Sequence, residues 1–186
     1  MQIINSTLSR FTRIHLLSFI IFSFLLLVNI PISFASPPDN EICAFLEKFH
    51  GHTCPGSLMG LRLGLAAKEA LNAQGRIEAK TFMFACNVDG IQVGAGTTYG
   101  NKALTVEDRN EMSLILTDTK TGKQVEARLT EEAMNRGKGF KELMAKSRSL
   151  KEGSPEQLAV KKEINDILEW YRKTPDEKVV IIKVLK

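Results

Sequence analysis

Residues 49–64 read FHGHTCPGSLMGLRLG, and this stretch decides how the rest of the chain is read. Cys54-Pro55 opens a helix, because proline at the first helical position lacks an N–H that would have no partner there anyway. The spacing of Leu58, Leu61, Leu65 and Leu71 predicts an apolar face and a helix from Pro55 to about Gln74, closed by Gly75. Gly56, Gly60 and Gly64 recur every four residues and form one smooth stripe on it. Each glycine weakens a helix by about 0.5–1 kcal/mol against alanine. A close neighbour must therefore press on that stripe: a helix or strand of the same chain, or a second copy in a homodimer.

Just before this helix, His50, Gly51, His52, Thr53 and Cys54 crowd reactive side chains into five positions. Extended backbone puts residues two apart on one face, so His50, His52 and Cys54 would point the same way. One thiolate with two imidazoles is a partial ligand set for zinc or another late first-row metal. Cys86, expected at the end of a strand over Ala79–Ala85, supplies a fourth ligand. Asp89 either ligates or holds a histidine N–H. Cys54 at a helix N-terminus is expected to be a thiolate at neutral pH, which serves metal ligation and nucleophilic or redox chemistry equally. Cys54 and Asp89 are thus the catalytic candidates, and a Cys54–Cys86 disulfide is the structural rival. Cys43 lies among apolar positions of a first helix, Glu41–Phe49, and reads as core. Arg62 reads as an ion-pair residue on the second helix, or as an anion contact near the site.

Working outward, residues 1–35 contain no Asp or Glu and only Arg10 and Arg13 as charges. A basic start, the apolar run Leu16–Val28, Pro31, and small Ser33 and Ala35 before Ser36 have the layout of a secretory signal peptide. Left uncut, Leu16–Ala35 is just long enough to anchor the chain in a membrane. Residues 36–186 then form the mature domain, outside the cytosol, periplasmic or extracellular. They keep 23 of the 25 basic and all 21 acidic residues, a net charge too small and unclustered for a nucleic-acid footprint. Three cysteines are too few for a disulfide scaffold. The loop Gly94–Gly100 lacks the spaced Gly-Lys-Ser/Thr of a phosphate-binding loop.

Asn87–Gly100 reads as a tight loop or a short helical turn. Met112–Thr117 and Gln124–Leu129 read as a hairpin around Thr121-Gly122-Lys123, with Val125, Ala127 and Leu129 inward. Thr130 caps a helix to about Ser147, loosened at Gly137 and Gly139. Ser154-Pro155-Glu156-Gln157 caps another, carrying Leu158, Ile164, Ile167, Leu168 and Tyr171. Lys178–Leu185 closes as a strand. The expected fold is a single small α+β domain with a mainly antiparallel sheet: a core over 45–129, then helices and a strand over 130–186.

The motif also carries a resemblance. Phe49–Gly56 with Gly60 and Arg62, then Cys86-Asn-Val-Asp-Gly-Ile-Gln92, then Gly96-Thr-Thr-Tyr-Gly-Asn101, resemble in order the three blocks of the FmdE family, named for a component of formylmethanofuran dehydrogenase. The resemblance implies a small α+β domain, often dimeric, with a metal at His50, His52, Cys54 and Cys86, and Asp89 beside it. Gly90 stands where that family commonly has Ala, and Gly94-Ala95-Gly96 replaces a bulkier stretch. No cysteine-rich tail follows. A signal segment argues against assembly with a cytosolic dehydrogenase, so the resemblance carries the fold and the metal site but not the methanofuran reaction. Three functions are then open. The first is an exported metal-binding domain with a zinc-like ion held by His52, Cys54 and Cys86, His50 being a further ligand or a group behind the ligands, and with metal-assisted catalysis if one position stays open. The second is a metal carrier, sensor or accessory protein for an exported metalloenzyme. The third is a thiol-redox protein cycling Cys54 and Cys86.

Overall fold

The structure, a computed structural model, describes residues 36–185; the segment read as an export signal lies outside them. The first helix, α1 (Asn40–His50), starts where the Asp39 carboxylate accepts the Ile42 N–H, and stops at Gly51, whose φ of 85° only glycine adopts without strain. Cys43 and Leu46 are its buried positions, so the reading of Cys43 as core holds.

Helix α2 (Pro55–Leu71) is capped at its start by Cys54 and ends at Asn72, in the left-handed region. It is three residues shorter than expected, because Asn72 rather than Gly75 makes the turn. Residues 57–64 are buried all round, as expected of a helix covered on every side. It packs against the strands Ser113–Asp118, Gln124–Leu129 and Val180–Val184 and against the helices Asn87–Ala95 and Pro155–Lys173. Leu58, Leu61, Leu63 and Leu71 are each at most 1% exposed, and burying each contributes about 1.5–3 kcal/mol.

The sheet contains β1 (Ile77–Thr81), β2 (Leu104–Val106), β3 (Ser113–Asp118), β4 (Gln124–Leu129) and β5 (Val180–Val184), in the order β2-β1-β3-β4-β5. All neighbours are antiparallel except β1 with β2. That parallel pair needs a crossover, and α3 (Asn87–Ala95) provides it. Neither β2 nor the length of α3 was expected. The glycines of 87–100 suggest a loop, yet Gly90 and Gly94 sit inside the helix for packing reasons given below. The strand expected over Ala79–Ala85 ends at Thr81, so Cys86 lies at the start of α3 and not at a strand end. The inward set Val125, Ala127 and Leu129 is buried as expected.

Thr130 caps α4 (Glu131–Arg136), and the helix breaks at Gly137–Gly139 before α5 (Phe140–Ser149). Gly137 has no room for a side chain: a Cβ there would lie 2.6 Å from Met59 Cε and 3.0 Å from Tyr171 Oη. Ser154 caps α6 (Pro155–Lys173) through the Gln157 N–H. The Gln157 side chain instead accepts from Gly153 N–H and donates to Ser147 O, pinning the α5–α6 connection. Leu158 is 56% exposed and lies off the buried face. A short helix, α7 (Asp176–Val179), leads into β5.

Arg62 is an ion-pair residue, as expected, but a buried one and not an anion contact at the site. It is 1% exposed, in the middle of α2. Its guanidinium donates to Tyr171 O and Thr174 O, each at 2.6 Å, and to Asp176 Oδ1 from Nε at 2.7 Å. It thus satisfies carbonyls left open at the C-terminus of α6, where a positive charge is favoured.

Candidate metal centre

The glycine stripe explains how two distant cysteines meet. A Cβ on Gly60 would lie 2.0 Å from Asn87 O, and one on Gly64 would lie 2.8 Å from Ala95 N. From the other side, a Cβ on Gly90 would lie 2.0 Å from Ser57 O, and one on Gly94 would lie 2.6 Å from Leu61 O. Backbone therefore touches backbone along α2 and α3. This face of α2 is filled by the same chain, so the Gly56/Gly60/Gly64 helix does not offer its stripe to a second copy. At Gly56 the neighbour is Cys86 Cβ, at 3.1 Å. The seam thus sets the start of α3 against the start of α2, with Cys54 on one and Cys86 on the other.

Cys54 caps α2 with its sulfur. The Ser57 N–H points to Sγ at 3.4 Å, while the Ser57 hydroxyl accepts the Cys54 N–H at 3.3 Å. Burial pushes the Cys54 thiol up, but the bonds from the Ser57 hydroxyl and N–H, then from Cys86 and His50, outweigh it and hold it below its ordinary value. Cys86 goes the other way: burial and the neighbouring Cys54 thiolate both push it up. Both cysteines are free thiols, as is Cys43.

His50 is the last residue of α1, so the extended reading of 50–54 fails at its first member. Its Nδ1 lies 2.6 Å from Asp89 Oδ2. In the neutral ring the proton then sits on Nδ1, facing the Asp89 carboxylate, and the lone pair on Nε2. That nitrogen lies 3.8 Å from Cys54 Sγ. Burial lowers the His50 pKa, but the bond it donates to Asp89 and the contact with Cys54 reverse the shift, and the net direction is up. Asp89 is itself held by Gln92 Nε2 at 3.2 Å, and Gln92 Oε1 accepts the Tyr99 N–H at 3.1 Å.

One ligand atom each from His50, Cys54 and Cys86 lies within 4.8 Å of the other two. Asp89 stands behind His50 and not in this group. His52 also lies outside it: its ring leans against that of His50 at a tilt of 37°, with centroids 4.5 Å apart, and His52 lines the neighbouring cavity. The helix end at Gly51 is why the two histidines part company. Two residues that matter were not singled out from the sequence. Ser57 is three after Cys54, the spacing of a capping box. Gln92 is three after Asp89, one helical turn away.

The donor set fits a zinc-like ion. Soft sulfur with one imidazole is its usual company, and the ligand atoms around a tetrahedral zinc are roughly 3.3–3.8 Å apart. The 3.8 Å between Cys54 Sγ and His50 Nε2 is at the edge of that range.

Comparison with known proteins agrees with this architecture. A family model described as "FmdE, Molybdenum formylmethanofuran dehydrogenase operon" matches residues 49–181. The chain belongs to the FmdE family. Its fold is similar to that of an FmdE-like protein of tungsten formylmethanofuran dehydrogenase type from Syntrophus aciditrophicus, with a TM-score of 0.54 and 22% identity, over 82% of this chain and 77% of that one. A curated relative from Archaeoglobus fulgidus, named as a probable S-adenosyl-L-methionine-binding protein, is 30% identical over 132 residues. The match covers 64% of this chain but only 36% of the relative, so the chain spans about a third of that protein's length.

Proposed function

We propose that this FmdE-family domain is an exported metal-binding protein that holds a zinc-like ion through His50, Cys54 and Cys86. One observation carries the reading. Three donor atoms converge within 4.8 Å while Asp89 orients the His50 ring through Nδ1, so that the neutral ring presents its lone pair on Nε2. A carboxylate behind a ligating histidine is the usual partner that orients it. Three protein ligands leave a fourth position open, where such an ion acts as a Lewis acid.

The chain's own residues prepare that position. The Ser57 hydroxyl and N–H favour the Cys54 thiolate, and the raised Cys86 thiol gives up its proton on binding. Asp89 and Gln92 hold the imidazole ring in place. The acid-free segment 1–35 supports the exported location.

The same His50 and Cys54 also suit a thiol acting without metal, since Asp89, His50 and Cys54 form a continuous chain of contacts. Metal analysis of the purified chain, with mass spectrometry of its cysteines, separates the two readings. The proposal expects about one equivalent of metal, lost in Cys54→Ser and Cys86→Ser, with the thiols never linked. A metal-free protein indifferent to chelator, with Cys54 and Cys86 joined on oxidation, would overturn it.

A further inference from the structure

A cavity of about 650 Å³ opens beside the two thiols. Its size falls within the roughly 300–1,000 Å³ of small-molecule sites. Cys54 and Cys86 form one side of it, and α5 forms another. Helix α5 contributes Lys141, Met144, Ala145 and Arg148, at spacings of three, four and seven residues, which is one helical face. Met59 and Phe140 extend the apolar wall. The lining therefore combines two thiols, apolar side chains and two exposed cations.

Those cations have no partner. Among the described residues, neither Lys141 nor Arg148 is in an ion pair or a side-chain hydrogen bond. Glu142 is the one acidic side chain on the cavity lining, so the lining keeps a net positive charge. Uncompensated charge at the mouth of an apolar cleft draws ligands of the opposite sign.

We propose that this cavity takes a small molecule with an apolar body and one carboxylate, the carboxylate held by Lys141 and Arg148 and the far end lying against Cys54 and Cys86. The proposal deepens the metal-centre reading by naming the class of molecule presented to that centre. The contacts of the carboxylate do not depend on the ion.

The test uses the full chain as purified and three probes of one shape: 3-phenylpropionate, 3-phenylpropanamide and 3-phenylpropylamine. Binding is measured by titration calorimetry or ligand-observed NMR, before and after chelator treatment. The acid is expected to bind roughly three- to tenfold more tightly than the amide, and the amine more weakly still. The preference should disappear in Lys141→Ala/Arg148→Ala and survive in Lys141→Arg/Arg148→Lys. It should also survive chelation, with circular dichroism checking the fold of each sample. Equal binding of acid and amide, a preference that persists in the double alanine variant, or no binding of any probe overturns the proposal. A preference that chelator abolishes and the alanine variant keeps belongs to the metal and also overturns it. A protein that holds no metal but keeps the acid preference refutes the metal centre alone.

Discussion

Replacing Gly60 by alanine should destabilise the protein although alanine is the better helix former. The gain in helix propensity is about 1 kcal/mol. Against it, the new Cβ would lie 2.0 Å from Asn87 O and 2.7 Å from Asn87 Cα, where ordinary contact begins near 3.4 Å. The helices would have to part by about 1.4 Å at that point. Nothing nearby can turn aside, because the obstacle is backbone, and the Asn87 side chain is bonded to Thr81 Oγ1 and Met83 O. Overpacking of this kind costs about 1–3 kcal/mol, and more against backbone. The net expectation is a loss of about 2 kcal/mol, read as a lower urea midpoint at unchanged slope. Gly56→Ala is the control. The tightest contact of its Cβ would be with Cys86 Cβ, at 3.1 Å, with Cys54 Sγ at 3.8 Å and Asn87 N at 4.0 Å in ordinary contact, so its effect on the midpoint should be much smaller. Gly60→Ala should also weaken metal binding, since Asn87 adjoins Cys86. A Gly60→Ala protein as stable as the parent would refute the backbone contact and, with it, the account of how the two cysteines are brought together.

Asp89→Asn should lower metal affinity roughly 10–100-fold without abolishing it, as competition with a chromogenic chelator would show. Arg62→Met leaves Asp176 buried and uncompensated and should cost about 3–5 kcal/mol in urea unfolding, partly recovered by adding Asp176→Leu. The Asp118 carboxylate is held below its ordinary range, first by the Gln74 N–H and then by the Lys120 N–H and the Thr121 hydroxyl, against the opposing effect of burial. A depressed carboxyl stabilises above its unfolded-state pKa and loses that contribution as pH falls through its folded-state value. Asp118→Asn should therefore be less stable than the parent at neutral pH, and the difference should shrink in acid, as thermal unfolding across pH would reveal.

Much of the centre was legible in residues 49–56 and 86–92, because the chemistry is local to those segments. The class of the fold, the hairpin and the caps at Thr130 and Ser154 were legible for the same reason. What failed depended on partners distant in sequence. The glycines at 90 and 94 look like loop residues until α2 lies against them. The fate of Arg62 depends on Tyr171, Thr174 and Asp176, more than a hundred residues on. Which histidine reaches Cys54 turned on one backbone angle, at Gly51, since a helix ending there sends His50 and His52 different ways. Lys141 and Arg148 resemble any solvated pair until the break at Gly137–Gly139 brings α5 round to the cavity.

The glycine seam also couples folding to supply. Cys54 and Cys86 belong to different helices and are neighbours only while that seam is closed. An ion that requires both therefore binds the folded chain and scarcely the unfolded one. Each tenfold rise in free ion above the dissociation constant then adds about 1.4 kcal/mol to stability. A chain exported into a compartment poor in that ion would unfold, and be cleared, more readily than the same chain where the ion is plentiful. The amount of intact protein would thus track metal availability with no separate sensor.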